Sequence, residues 1–537
     1  MAANVLADAG WEVTVCEASD TPGGAVSSDF LAPGFVTDRF SAFYPLAAAS
    51  PVIESLGLED FGLAWRHAPS VLAHPFSDGS CAVLERDPEI TADSLDALGS
   101  RSGELWRSWY SLWGEVGEEL LDALMSPFPP LRAGARLLRA ARRPGWAQSV
   151  RFALASVDSE NTEDHPAPAT SLLAGCALHS DVALDDVGSA GIGWLLAMLG
   201  HARGWPVPKG GAQSLTDALV SRLARRGGTV LCSTEVTEVV LRFGRAAAVR
   251  TSGGETISAR RAILADVSPM SLYLGLLANQ ELPESVWESC RSFRPDFPVF
   301  KVDWALRDKI PWRSPRVADA GTVHLGGSYS EMLQDRGRLG AGIVSAEPFL
   351  IVGQMTTADP TRSPPGTESA WAYGHLPHSV LGDAAGAGIV GNWDRGELEL
   401  LADRAQARLE SFAPAFGSAV LARRVIGPKE LELANANLVK GGLGGGTMAL
   451  YNQGFLRPTP SWGRPETPIE GLFLASSFAH PGPGVHGACG ANAARAALAH
   501  SGRMQHLFLR QALRSWEHLS GPRKAQGPRP KRGPTPF

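Results

Sequence analysis

The first nineteen residues, MAANVLADAGWEVTVCEAS, constrain the fold more than any other stretch of the chain. They read as the end of an amphipathic helix, a turn at Gly10, and a strand WEVTVCE that closes on an acidic residue. Helix, tight turn and a strand ending in a carboxylate make up the second half of a βαβ nucleotide-binding unit. In that unit the carboxylate at the strand tip accepts hydrogen bonds from a ribose. Glu17 occupies the tip. An ordinary helix–strand pair ending in a solvated Glu has the same pattern, so the segment needs support from elsewhere. A complete unit also has a first strand and a G-x-G-x-x-G turn that places a pyrophosphate on the helix N-terminus. The helix here begins at once, so the pattern predicts roughly 15 further residues ahead of Met1.

The support comes downstream. TPGGAVSSDF follows, and Gly23 and Gly24, lacking Cβ atoms, let backbone approach a phosphate or a ring system closely. Residues 104–124 place Trp106, Trp109, Trp113, Val116, Leu120 and Leu124 at helical spacing, which predicts a helix packed into a core. LRAGARLLRAARRPGW, from Leu131, reads as a solvated basic helix face or as a contact for lipid or an acidic partner. From residue 205, PKGGAQSLTDALVSRL predicts a helix, TVLCSTEVTEVVL a strand and hairpin, and AILAD a closing strand. Residues 280–425 alternate in FPVFKVDWAL and carry Pro-rich loops, a second mixed α/β region. PIEGLFLASSFAHPGPGVHGACGANAARAALAH then reads as strand, glycine-rich turn and helix.

A chain of 537 residues has room for two to four domains, and 44% apolar with 19% charged residues is a globular composition. The net charge is −6 although the segment from Ser520 onward is basic, which excludes a general nucleic-acid surface. The six cysteines are scattered without a C-x-x-C, which argues against a disulfide framework, a zinc site or a dithiol reductase. No apolar run reaches the roughly 20 residues that span a bilayer, and no signal-peptide pattern opens the chain. A cytoplasmic protein is expected, with peripheral membrane contact left open. His480 and His486 lie six apart in the glycine-rich turn, and His324 and His375 lie in the second region. None has metal-ligand spacing, so no metal is expected. His486 could relay a proton or make a structural hydrogen bond. No catalytic side chain stands out.

Together, the Glu17 strand with Gly23–Gly24, PKGGAQSL, the TEVTEVV hairpin and TPIEGLFLASSFAHPGPGVHGACGANAA resemble the phytoene dehydrogenase-related flavoproteins of the amine-oxidase superfamily. AGTVHLGG and TTADPTRSPPGTESAWAYGHLP are similar to that group's substrate-domain and hinge segments, and the likeness runs from Met1 to about His500. The resemblance implies an α/β protein: a discontinuous Rossmann-like FAD-binding domain with an inserted mixed α/β substrate domain. Residues 1–100, 205–275 and 431–505 would form the FAD-binding parts, 101–204 a helical cap and 276–430 the substrate domain. Residues 506–537 would be a helix end and basic tail. It further implies that Glu17 holds the adenosine ribose, Gly23 and Gly24 line the phosphates, and Val236 contacts the adenine. Gly482, Gly484, Val485, His486 and Gly487 would lie against the isoalloxazine, with the next helix aiming its positive end at the flavin. The chain departs from the family pattern in lacking the first glycine fingerprint, in Ala25 after the glycine pair, in Pro483, and in Ser476 and Phe478.

The implied activity is oxidation, desaturation or isomerisation of an apolar small molecule with FAD. An amine-oxidase reaction is the alternative within enzymes, and Lys440 beside GGLGGG is the one lysine worth testing near a flavin. A flavoprotein with a regulatory role, as regarded for mitochondrial-matrix relatives in eukaryotes, is the alternative outside them.

Overall fold

The computed structural model describes residues 1–99, 101–143, 145–161, 167–457 and 463–501. The basic tail expected over 506–537 lies outside them.

Four distant segments build the nucleotide-binding part. Strand Thr14–Cys16 pairs in parallel with Thr229–Leu231, and strand Ile263–Ala265 pairs in parallel with Leu472–Leu474. Each strand is only three residues long, so its stability comes from the helices packed on it. Helix Ala2–Asp8 lies against helix Ala488–Ser501, and Leu6, Phe473, Ala493, Ala494 and Ala497 share one core. The small alanines let the two backbones close up. Arg222, on helix Gln213–Arg225, is buried and donates to Asn4 and to the Leu56 carbonyl, locking that helix to the first. The predicted hairpin is present as Val236–Arg242 against Arg245–Thr251, extended by Thr256–Ser258.

The second region is organised by a seven-stranded sheet in the order Val420–Ile426, Val299–Leu306, Glu368–His375, Leu350–Gln354, Ala320–Leu325, Ser70–Pro75, Cys81–Leu84. Its pairs are antiparallel except for Ala320–Leu325 beside Ser70–Pro75. The last two strands come from residues assigned on sequence to the first FAD-binding segment. The chain therefore enters the sheet at Ser70, ahead of residue 100. Strands such as SVLAHP, buried on both faces, carry no mark of which sheet they join.

The alternation in FPVFKVDWAL is real, but neither face meets water. Phe300, Val302, Trp304 and Leu306 enter one core. Lys301 and Asp303 pair with each other on the other face, and Arg424 reaches Asp303 at 3.2 Å and Asp29 at 2.9 Å. Among the described residues of 101–204 lie five α-helices, the longest being Ser102–Met125. The predicted tryptophan stripe is buried there: Trp106 donates to His201 Nε2 at 2.8 Å, and Trp194 donates to the Trp109 carbonyl at 3.0 Å.

Candidate functional site

The site begins where strand Leu472–Leu474 ends. The turn that follows reaches helix Ala488–Ser501 through Gly482, Gly484 and Gly487 at φ +107°, +113° and +69°. Side chains are strained in that region and the space is occupied as well. A Cβ on Gly484 would sit 2.5 Å from Leu46 Cδ1, and one on Gly482 would sit 2.8 Å from Arg457 Nε. Val485 packs beside the core formed by Tyr44, Ala47 and Ile53. Cys489 is buried, and its thiol points at the carbonyls of Ala479 and Gly482, a packing role.

His486 is a latch within this turn. Its Nδ1 accepts from the Ala488 N–H at 3.0 Å, which makes Nε2 the protonated nitrogen, and that N–H donates to the Gly482 carbonyl at 3.2 Å. Both ring nitrogens are thereby used, and neither is left to relay a proton. Burial lowers its pKa from 6.5 to about 4, so the ring is neutral at pH 7. Ser50 donates to the His486 carbonyl at 2.6 Å while capping helix Pro51–Glu54, fastening the turn to that helix.

Glu17 stands just beyond strand Thr14–Cys16, half-buried, with Oε1 accepting from the Ser19 N–H at 2.9 Å. Asp266 stands just beyond strand Ile263–Ala265 and was not singled out from the sequence. Its carboxylate stays exposed, yet the protein crowding it raises its pKa, and Glu17 adds to the rise. Glu17, Asp266 and the glycine turn therefore all sit at the carboxyl ends of parallel strands, where open α/β sheets bind ligands. The N-termini of helices Ala2–Asp8 and Ala488–Ser501 also meet there, since a Cβ on Gly490 would lie 3.0 Å from the Ala2 nitrogen. Two positive helix ends favour a shared anionic or electron-accepting ligand.

Gly23 and Gly24 have φ +139° and +53°, and a Cβ on Gly23 would lie 2.8 Å from the Val26 carbonyl oxygen. Their turn is held by Gln213, whose side chain donates to the Pro22 carbonyl at 3.2 Å. Val236 is half-buried at the start of the hairpin, paired with Thr251. The structure thus gathers Glu17, Asp266 and the 482–487 turn at one edge and gives both glycine segments a left-handed backbone.

Arg457 was also missed, because an isolated arginine reads as a surface residue. It is fully buried, and Nη2 donates to the carbonyls of Gly444 at 2.6 Å and Gly445 at 3.0 Å, while Nε donates to Ser477 at 3.2 Å. Burial pulls its pKa down to about 10. Asp296 grips the same loop from the other side, accepting from the N–H groups of Gly444 at 2.6 Å and Gly446 at 3.1 Å. Lys440 instead lines an open cleft of about 760 Å³ with Asp181, Arg294, Phe297, Arg336 and Tyr451. That cleft touches neither Glu17 nor the glycine turn. His324 is buried with Nε2 2.8 Å from His179 Nε2, and His375 lies at the end of strand Glu368–His375.

A turn of left-handed glycines leading into a helix, set beside the tip of a nucleotide-fold strand, defines a flavoprotein-type nucleotide fold. The chain belongs to the family described as flavin containing amine oxidoreductase, whose pattern it matches over residues 1–498. It is 28% identical over 428 residues to pyridine nucleotide-disulfide oxidoreductase domain-containing protein 2 of Mus musculus, covering 77% of this chain and 69% of the mouse protein. It is 23% identical over 280 residues to the neurosporene-forming phytoene desaturase of Rhodobacter capsulatus, covering 51% of this chain and 50% of that one. In fold it is similar to an oxidoreductase from Methanosarcina mazei, with TM-score 0.59, 14% identity, and coverage of 93% and 96% of the two chains. The family implies a flavin, and the residues at the strand ends fit one. Carboxylates suit ribose hydroxyls, helix N-termini suit phosphate or the electron-rich flavin edge, and the glycines permit close approach.

Proposed function

We propose that this protein is an FAD-dependent oxidoreductase of the phytoene dehydrogenase type, acting on an apolar small molecule in the cytoplasm. The observation that carries the reading is the convergence of Glu17, Asp266 and the Gly482–Gly487 turn at the carboxyl ends of parallel strands. Glu17 would accept hydrogen bonds from the adenosine ribose, and Gly23 and Gly24 would admit the phosphates. Val236 would border the adenine. The N-terminal end of helix Ala488–Ser501 would stabilise negative charge on the flavin ring. His486 and Arg457 hold the turn that carries it, and Leu46 packs against Gly484. When bound, the flavin supplies the hydride chemistry, while the chain binds and orients. Six free cysteines accord with a reducing compartment.

The test is direct. Purified protein should carry a flavin absorbance that bleaches with a reductant, and the released cofactor should chromatograph as FAD. Colourless protein that does not take up added FAD overturns the reading; FMN in place of FAD overturns the dinucleotide part of it.

A further inference from the structure

Helix Leu131–Ala140 presents three stripes. Ala133, Leu137 and Ala140 turn toward the protein, and Leu137 packs beside the tryptophan core. Arg132, Arg136, Arg139 and Arg143 follow on the next face at helical spacing. Leu131, Ala135 and Leu138 form the third, facing outward, with Leu131 77% and Leu138 51% exposed. Leucines one full heptad apart, unpaired and flanked by arginines, are not the surface of an ordinary solvated helix.

The charges divide in the same way. Arg136 pairs with Asp122, and Arg143 lies 3.9 Å from Glu115, so these two tie the helix to Ser102–Met125. Arg132, Arg139 and Arg142, nearer the leucine stripe, have no carboxylate partner among the described residues. Between Asp122 and Asp158 the chain holds six arginines and no acidic residue, in a protein of net charge −6. A local excess of arginine against an acidic whole selects an anionic surface. Helix Trp146–Leu154 follows with exposed Val150 and Leu154 and a further cation, Arg151.

We propose that helix Leu131–Ala140 lies on an anionic lipid bilayer, with Leu131 and Leu138 entering the headgroup–acyl boundary and Arg132, Arg139 and Arg142 on lipid phosphates. The outward face carries exposed leucines beside arginines, which suits a deformable lipid interface with anionic headgroups. The helix starts three residues after Phe128, whose ring lies 5.4 Å from that of His480 in the glycine-rich turn. If the proposed flavin function holds, a lipid-dissolved substrate would meet the protein at that end. The binding itself does not depend on that function.

The full chain is floated with phosphatidylcholine vesicles, with and without phosphatidylglycerol. Flotation is expected with the anionic vesicles only, and it should weaken as salt rises. The Arg132→Glu/Arg139→Glu/Arg142→Glu variant should bind on the order of a hundredfold more weakly. Leu131→Ser/Leu138→Ser should lose binding even at low salt. All of these residues are exposed, and matching circular dichroism and melting temperature show that a variant is folded. The milder Arg132→Gln/Arg139→Gln/Arg142→Gln variant replaces any that is not. Failure of the full chain to float with anionic vesicles overturns the proposal, as does equal binding by the variants. Capture of an acidic polypeptide without vesicle binding overturns it in favour of a protein partner.

Discussion

Asp38 and Arg362, 324 residues apart in the chain, form an ion pair with Nη2 2.5 Å from Oδ2 and with both side chains wholly out of solvent. The second carboxylate oxygen of Asp38 accepts from Ser28 Oγ at 2.9 Å and from the Ala212 N–H at 2.8 Å. The pair thus joins hairpin Ser28–Asp38, the PKGGAQSL segment and the loop ahead of strand Glu368–His375. These are the pieces through which the nucleotide-binding part meets the sheet.

Breaking a buried pair from one side leaves an uncompensated charge, which costs about 3–5 kcal/mol. Arg362→Met should therefore lower the unfolding free energy by that amount in urea titration. The Asp38→Asn/Arg362→Met double variant should recover part of the loss. A single variant as stable as the parent would mean that the two parts hold together without the pair.

Gly484→Val should lose bound flavin. The new side chain would meet Leu46 at a backbone φ of +113°, and both space and conformation oppose it. Gly482→Ala should weaken retention less, because Ala adds one carbon where Val adds three, and the contact it makes with Arg457 is the longer at 2.8 Å. Flavin content after gel filtration, read against the melting temperature of the sheet region, checks both. Normal content and spectrum in Gly484→Val would remove this turn from the site.

Glu17→Ala should cost about 1.5–3 kcal/mol of FAD affinity for each ribose hydrogen bond lost. Melting at saturating FAD should hardly change, because Glu17 is half-buried and its one side-chain bond is local. Fluorescence titration of apoprotein measures it, and equal affinity in both forms would make Glu17 an ordinary strand end.

The buried histidines should make this protein lose stability as the pH falls below about 6.5. Burial lowers the pKa values of His74, His201, His480 and His486 from 6.5 to about 4. Between those values the unfolded chain binds protons that the folded chain refuses. Their stabilisation is complete above about pH 6.5 and is lost as pH falls toward 4, by about 1.4 kcal/mol per pH unit for each proton. Melting temperature followed from pH 8 to pH 5 should drop, and His74→Gln should make the slope shallower. A flat profile would show that these rings reach water in the folded state.

The sequence by itself determined the local elements. The opening helix and strand, the tryptophan helix, the hairpin and the strand–turn–helix at the C-terminal end all follow from short-range rules. Periodicity sets which residues point the same way, and glycine permits the left-handed backbone that a tight turn needs. Glu17 and Gly482–Gly487 were legible for that reason, since each is marked by its own neighbours in the chain.

Tertiary structure alone decided which elements share a sheet and which polar groups are buried. Strand Ser70–Pro75 joined the seven-stranded sheet although nothing local marks it, because both its faces are buried and Ser70 and His74 find distant partners in Glu85 and Gly327. Lys301 and Asp303 showed a polar face, and only the arrival of Asp29 and Arg424 made that face an interior one. Arg457 and the Asp38–Arg362 pair stayed unreadable because their partners are distant in sequence. A charge can be buried only when its counter-charge or carbonyl cage is delivered by folding, and no local pattern announces a partner hundreds of residues away.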